Sequence, residues 1–265
     1  MKKFLHEFIA FGIKQASACL FGGIMLALII GTKLVWQTAW PIARYDFIFV
    51  AALLTQLLFL VCKLETRKEA KVIFVFHIVG TLMELFKTHV GSWEYPEANL
   101  IRLGGVPLFS GFMYSAVGSY LARVRTIFHQ HYRPYPKPWT TALLALLIYL
   151  NFFTHHALPD IRLFLFAATS ILFWKTKAYF TISKKERQMP ILVGFFLVSV
   201  FIWIAENVGT FFRAWVYPYQ SSWELVHLGK LGSWFLLMII SFILVNLVAP
   251  PDLLPNKFRD SSDAV

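Results

Sequence analysis

Apolar runs long enough to cross a lipid bilayer recur from end to end of this chain, and no other feature limits its fold so tightly. A hydrocarbon core of about 30 Å needs roughly 17–25 mostly apolar helical residues per crossing. Eight spans are predicted: Ala16–Trp36, Tyr45–Cys62, Val72–Val90, Gly104–Ala122, Trp139–Thr154, Ile161–Phe180, Pro190–Phe212 and Leu231–Val248. In the sixth, Arg162, Lys175 and Lys177 leave a short apolar centre. Composition agrees: 58% of residues are hydrophobic and 15% charged, whereas a soluble domain has about half and about a quarter. The expected fold class is an all-α membrane protein of about eight transmembrane helices.

Residues 1–15 precede the first span, and Lys2, Lys3 and Lys14 among Phe, Leu and Ile predict an amphipathic interfacial segment there. Ala16-Ser17-Ala18 stands before the long apolar run, the wrong order for a cleaved signal peptide. The net charge of +11 follows topology and is not a nucleic-acid footprint, so no nucleic-acid partner is expected. Eighteen of the 25 Lys and Arg lie at the N-terminus, in the loops 63–71, 123–137 and 175–187, and in the tail. The other seven (Lys33, Arg44, Lys87, Arg102, Arg162, Arg213, Lys230) belong to the alternate connections. The excess of positive charge on cytoplasmic loops then puts both termini in the cytoplasm. Cys19 and Cys62 have no metal-ligand spacing and read as buried small hydrophobes.

Within this frame one pattern is written twice: Glu-x3-Thr-x4-Trp-x-Tyr-Pro. It appears as Glu84, Thr88, Trp93, Tyr95, Pro96 and again as Glu206, Thr210, Trp215, Tyr217, Pro218. Each pair is offset by 122 residues. The same shift carries the first four spans onto the last four, with the Pro-rich stretch 129–138 between them. The predicted organisation is an N-terminal segment 1–15, a first four-helix repeat 16–128, a cytoplasmic linker 129–138, a second repeat 139–248 and a cytoplasmic tail 249–265. An even number of spans per half makes the repeats parallel, about an axis along the membrane normal. Both motifs then face the outer side.

The glutamates carry the chemistry. A carboxylate at membrane depth costs several kcal/mol unless it faces a bundle interior or a wet cavity, so it marks a functional site by default. His77, Thr81, Glu84 and Thr88 share one helical face, and Glu206 and Thr210 repeat it with Asn207 alongside. Lys87 and Arg213 are candidate counter-charges. The prolines stop each helix, and Trp93, Tyr95, Trp215 and Tyr217 form an aromatic wall suited to a flat or cationic group. The candidate ligand-binding set is therefore Glu84, Thr88, Trp93, Tyr95, Glu206, Thr210, Trp215, Tyr217, His77 and Asn207, with Glu84 and Glu206 the catalytic candidates. A structural reading stands beside it: Trp and Tyr anchor many interfacial helix ends, a glutamate near a helix end can snorkel to water, and His77 reads best as a satisfied interior histidine. Ser110, Tyr114 and Gly118 share a face of the fourth span and are candidates for the same cavity. Gly104-Gly105 reads as close helix packing at the start of that span. His155-His156 has no third histidine at metal spacing. Neither a Walker motif, an HExxH, a dinucleotide fingerprint nor a Ser-His-Asp order occurs, so no metal or cofactor is expected.

The stretches HIVGTLMELFKTHVGSWEYPE and RLGGVPLFSGFMYSAVGSY resemble the YoaT-like family of bacterial integral membrane proteins, and the likeness extends over nearly the whole chain. The resemblance implies a bacterial cytoplasmic-membrane location and carries no activity. A fainter likeness is to membrane-embedded carotenoid-modifying proteins, including small-subunit lycopene cyclases, although the Pro-x-Glu-Glu pattern of those cyclases is missing here. Three function classes stay open. One is binding or transport of a small-molecule or isoprenoid ligand at the paired glutamates. The second is an isoprenoid-modifying enzyme with a glutamate as general acid. The third is a structural or partner-binding membrane protein whose repeats merely reflect duplication; in each case the lipid bilayer is an expected partner. Geometry discriminates: carboxylates converging on one apolar, closed, lipid-accessible pocket favour the enzyme, a polar cavity open to one aqueous side favours transport, and separated carboxylates satisfied by their own Lys, Thr or Arg favour the structural role.

Overall fold

The computed structural model describes residues 2–37, 39–218, 220–221 and 224–248. The predicted cytoplasmic tail 249–265 lies outside these, as do the side chains of Lys2 and Lys3. The chain is mostly helical, at 67%. In order it forms α1 (Lys2–Ala18), α2 (Leu20–Val35), α3 (Arg44–Val61), α4 (Arg67–His89), β1 (Arg102–Leu103), β2 (Val106–Pro107), α5 (Phe109–Ile127), β3 (His131–Arg133), α6 (Pro138–Thr154), α7 (Arg162–Phe173), β4 (Lys177–Thr181), β5 (Glu186–Pro190), α8 (Ile191–Phe211) and α9 (Gly229–Val248).

A helix covers the greater part of every predicted span, but length and hydropathy qualify fewer of them as crossings. Among the described residues α3, α8 and α9 are long and apolar enough to cross a membrane. A fourth is added if α1 and α2, bent by 67° at Cys19, count as one broken span. The α4 and α5 helices carry charges along their length, and α6 and α7 are short, at 17 and 12 residues.

Two span boundaries differ from the sequence reading, as does the setting of the cysteines. The sixth span was expected to run to Phe180, yet α7 ends at Phe173. Lys175 and Lys177 interrupt the apolar run, and 177–181 instead forms β4, the centre of an antiparallel sheet ordered β3-β4-β5. That sheet draws the expected linker (129–138) against the second half, with His131 stacked on Tyr179 at 5.0 Å. The fourth span was expected to open at Gly104, but Gly104-Gly105 turns the β1–β2 hairpin, where Gly104 adopts φ +56°, and α5 begins at Phe109. Cys19 and Cys62 are exposed and unpaired, not buried, because each falls at a helix end.

Two central helices organise the packing. The α5 helix touches α1, α2, α3, α4 and α9, and α9 touches α6 and α8 as well. Lipid tails are as apolar as leucine, so burial supplies little drive between helices in a membrane, and close approach of backbones matters more. The α4–α5 pair achieves this with Gly80: a Cβ there would lie 2.5 Å from Cγ of Tyr114. At the start of α4, Thr66 accepts from the Glu69 backbone at 3.2 Å while the Glu69 carboxylate accepts from Thr66 N at 2.6 Å, a reciprocal cap that fixes where the helix begins.

The connection 90–108 is held by ionic latches. The Asp46 carboxylate accepts from Leu100 N, Ile101 N and Asn99 Nδ2, each at 2.8 Å. Glu97 pairs with Arg44 at 2.7 Å and Lys33 at 3.0 Å. Burial by itself would raise the Glu97 carboxyl, but hydrogen bonds from Arg44 and Lys33 and their charges hold it below the usual carboxylate value.

Two outcomes follow from this packing. Gly80→Ala should destabilise the protein by about 1–3 kcal/mol through overpacking, read as a lowered Tm in detergent micelles. The Glu97 latch has a depressed folded pKa, so its contribution should be complete above the unfolded carboxylate value of about 4.3 and disappear as pH falls through the folded one. Melting between pH 7 and 3 should show this loss in the wild type and not in Glu97→Gln.

Candidate functional site

Both halves bring the turn after a helix back over a glutamate. The α4 helix stops at His89 and α8 at Phe211, and each chain then reverses through the Trp-x-Tyr-Pro turn. Glu84, 4% exposed, accepts three hydrogen bonds: Trp93 Nε1 and Tyr95 OH each donate to Oε2 at 2.7 Å, and Tyr114 OH donates to Oε1 at 2.8 Å. Glu206, also 4% exposed, accepts from Tyr217 OH on Oε1 and from Trp234 Nε1 on Oε2. Each carboxylate therefore takes one donor from its own turn tyrosine and another from the helix that follows, α5 or α9. Charge-assisted bonds of this kind are roughly twice as strong as neutral ones. Burial, followed by the neighbouring glutamate charge, pushes the Tyr95 and Tyr217 phenols well above their ordinary value, so both remain donors.

The two turns are also joined to each other. Glu94 N donates to Val216 O at 3.0 Å and Val216 N to Glu94 O at 2.9 Å, an isolated antiparallel pair between positions 122 residues apart. The Trp93 and Tyr217 rings meet edge-on with centroids 6.0 Å apart. Tyr45 OH donates to Ala214 O at 3.0 Å, tying α3 to the second turn. The match is not complete, because Trp215 does not reach Glu206. Its ring lies on Gly209, where a Cβ would come within 2.1 Å of the indole.

Both glutamates face one cavity of about 780 Å³ between the helices. Its lining is largely apolar and runs along α5 from Tyr114 past Tyr120 and Val124 to Phe128. At 1.5 Å per residue that is about 21 Å.

Of the expected ligand-binding residues, Glu84, Trp93, Tyr95, Glu206, Trp215 and Tyr217 line this cavity, and Thr88, Thr210, His77 and Asn207 do not. Thr210 Oγ1 bonds its own helix through the Glu206 and Asn207 carbonyls. Asn207 accepts from Val226 N at 2.8 Å and so pins the segment before α9. The Thr88 methyl packs near Gly105, and its hydroxyl has no partner. His77 was expected to be a satisfied interior histidine. Its ring instead lies 4.7 Å from Phe112 and over Gly111, and Nδ1 is buried without a hydrogen-bond partner.

The counter-charges also differ from expectation. Lys87 points away from Glu84, its ammonium 2.8 Å from His156 Nε2 and 3.4 Å from His155 Nε2. Arg213 is exposed. The ammonium at the glutamate end is Lys230, which rests over the Tyr217 ring at 4.2 Å and the Trp93 ring at 5.1 Å and feels the charge of Glu206 and of Glu84.

Comparison with known proteins places the chain. Residues 7–242 match a family described as "Protein of unknown function (DUF817)". The chain belongs to that family. It is similar to the "Uncharacterized protein YoaT" of Bacillus subtilis (strain 168), with 43% identity over 242 residues that make up 91% of each chain. The resemblance drawn from the Glu84 and Gly104 stretches is thereby borne out. No solved structure matches.

Membership supplies no activity, so the roles of residues rest on geometry. Lys230, Trp234 and Ser233 were missed by motif reading because α9 lies outside the repeated window. The one available signal was the interfacial placement of a lysine and a tryptophan at the start of the last apolar run. Tyr114 was marked only as a neighbour.

The hydrogen-bond pattern predicts a clear contrast. Tyr114→Phe and Trp93→Phe should each lower stability by about 1.5–3 kcal/mol, the range for bonds to a charged group. Thr88→Val should stay within about 0.5 kcal/mol. Denaturant unfolding in micelles reads both.

Proposed function

We propose that this is a polytopic protein of the bacterial cytoplasmic membrane that binds or transports a lipid-like ligand. In this reading α2 to α9 are eight spans, arranged as two parallel four-helix repeats with both termini cytoplasmic. The ligand lies in the cavity between the repeats, its polar end at the paired glutamates. The observation that carries the reading is the convergence of Glu84 and Glu206 on one end of a single, long, apolar cavity. Intramembrane carboxylates seldom occur without a partner or a passage to serve, and a pocket of this size and lining suits an elongated apolar molecule. The Glu94–Val216 pair supports a pseudo-two-fold relation, since residues related by such an axis meet on it.

A second reading has its own support. Trp93, Tyr95, Tyr114, Tyr217 and Trp234 surround the carboxylates, and such a cage stabilises a developing carbocation. Glu84 or Glu206 would then act as general acid on an isoprenoid-type lipid. The structural reading fares worse, because no Lys, Thr or Arg side chain among the described residues hydrogen-bonds either carboxylate.

Native mass spectrometry of the purified protein with co-purifying lipids tests the site. A bound species present in the wild type and lost from Glu84→Gln/Glu206→Gln is the expected result. Identical spectra for both proteins would refute a ligand site at the glutamates.

A further inference from the structure

The lining of the cavity is buried or half-buried at the glutamate end and partly exposed along one side. At the glutamate end Glu84, Glu206, Trp93 and Trp215 are all buried, and the Glu94–Val216 pair ties the two turns together there. Along the side, the exposed members of the lining are Ala16, Cys19 and Gly23 around the α1–α2 bend and Leu197 and Phe201 on α8. Leu197 is 46% and Phe201 73% exposed. None of the five is charged, so beside the contact of α2 with α8 the exposed lining presents hydrocarbon to hydrocarbon. A ligand that reaches the glutamates by this path comes from the bilayer and not from water.

The glutamate end specifies the head group. Two carboxylates offer about eight lone-pair sites, and the protein fills five of them, three on Glu84 and two on Glu206. The vacant sites take hydrogen-bond donors. Charge points the same way. Lys230 is the ammonium at this end, and among the described residues it forms no salt bridge; Lys87 is engaged by His155 and His156, and Arg213 is exposed. Arg162, also near Lys230, is paired with Asp160 at 2.6 Å. Two buried carboxyl groups thus lie by one ammonium, so a cationic head group finds both acceptor sites and counter-charge at this end.

We propose that the ligand is a single-chain amphiphile of the bilayer with a primary ammonium head, which enters beside the α2–α8 contact and sets that ammonium against Glu84 and Glu206. This rests on the reading of the cavity as a ligand site. The aromatic faces of Trp93 and Tyr217 beside the carboxylates add cation–π attraction, and the channel along α5 takes the chain.

Oleylamine, oleyl alcohol and oleate, titrated into the full-length protein in micelles and followed by native mass spectrometry and tryptophan fluorescence, provide the test. Oleylamine should bind on the order of tenfold more tightly than the other two, as one charge-assisted contact implies. Glu206→Gln should abolish that preference, and an unchanged circular dichroism spectrum and elution volume in micelles certify that the variant folds. Equal binding of all three probes would overturn the head-group assignment and leave the cavity reading intact. Binding of none would overturn both. For the route, Gly23→Trp adds bulk to this exposed lining at a position where an added side chain meets no atom within 4 Å. It should slow oleylamine association on the order of tenfold, a barrier change of about 1.4 kcal/mol, whereas Leu58→Trp on the exposed face of α3 should not. An unchanged rate in Gly23→Trp would overturn lateral access.

Discussion

Two carboxylates held away from water are the constraint around which the rest of this molecule is arranged. An ionised group in a low-dielectric interior is tolerated only when its hydrogen bonds are made. Here the donors are indole N–H and phenol O–H groups, which bring apolar bulk together with a polar tip. Supplying them fixes the neighbours. The α5 helix must lie against α4 closely enough for Tyr114 to reach Glu84, which is why Gly80 carries no side chain. Each Trp-x-Tyr-Pro turn must fold back over its own helix. The α9 helix must present Trp234 to Glu206. A network of this kind, once fully satisfied, favours one arrangement over its alternatives.

The two halves meet at the same place and differ there in an informative way. Position 209 is glycine, and the Trp215 ring lies on it; the position 122 residues earlier is Lys87, which leaves no such shelf. Trp93 turns instead to Glu84 and gives it a third donor. Lys87 itself reaches across to His155 and His156 at the end of α6, so one substitution between the copies both frees a tryptophan and makes a cross-link. Glu206 keeps fewer donors and has Lys230 nearby. The pocket is thus a near-symmetric frame with an asymmetric charge distribution.

Parts of this were legible in the residues alone. Apolar run length located every helix from α2 to α9, because a 3.6-residue period and a bilayer thickness leave few other options. The 122-residue offset picked out Glu84, Glu206 and the four turn aromatics that line the cavity. The β3-β4-β5 sheet was not legible, since 178–180 reads as the end of the sixth span and the β3 partner lies far away in sequence. The shared helical face misled for His77 and Thr88: phasing groups residues on one side of a helix, but a neighbour decides what that side meets. For these two it was Gly111 and Gly105 on the packed side of the helix, away from the cavity.

Composition and periodicity determine that this chain is mostly helical with several helices apolar enough to cross a membrane, because burial of apolar helices depends on how many residues are apolar and how they are spaced. Repetition of the motif picks out the two carboxyl groups that line one cavity. Neither reaches the counter-charge, the joining of the two turns at the glutamate end or the exposed apolar lining beside α8. Those depend on distances between residues that are remote along the chain, such as Lys230 with Trp93, or Glu94 with Val216. Local sequence carries no term for them; they exist only once the helices have packed.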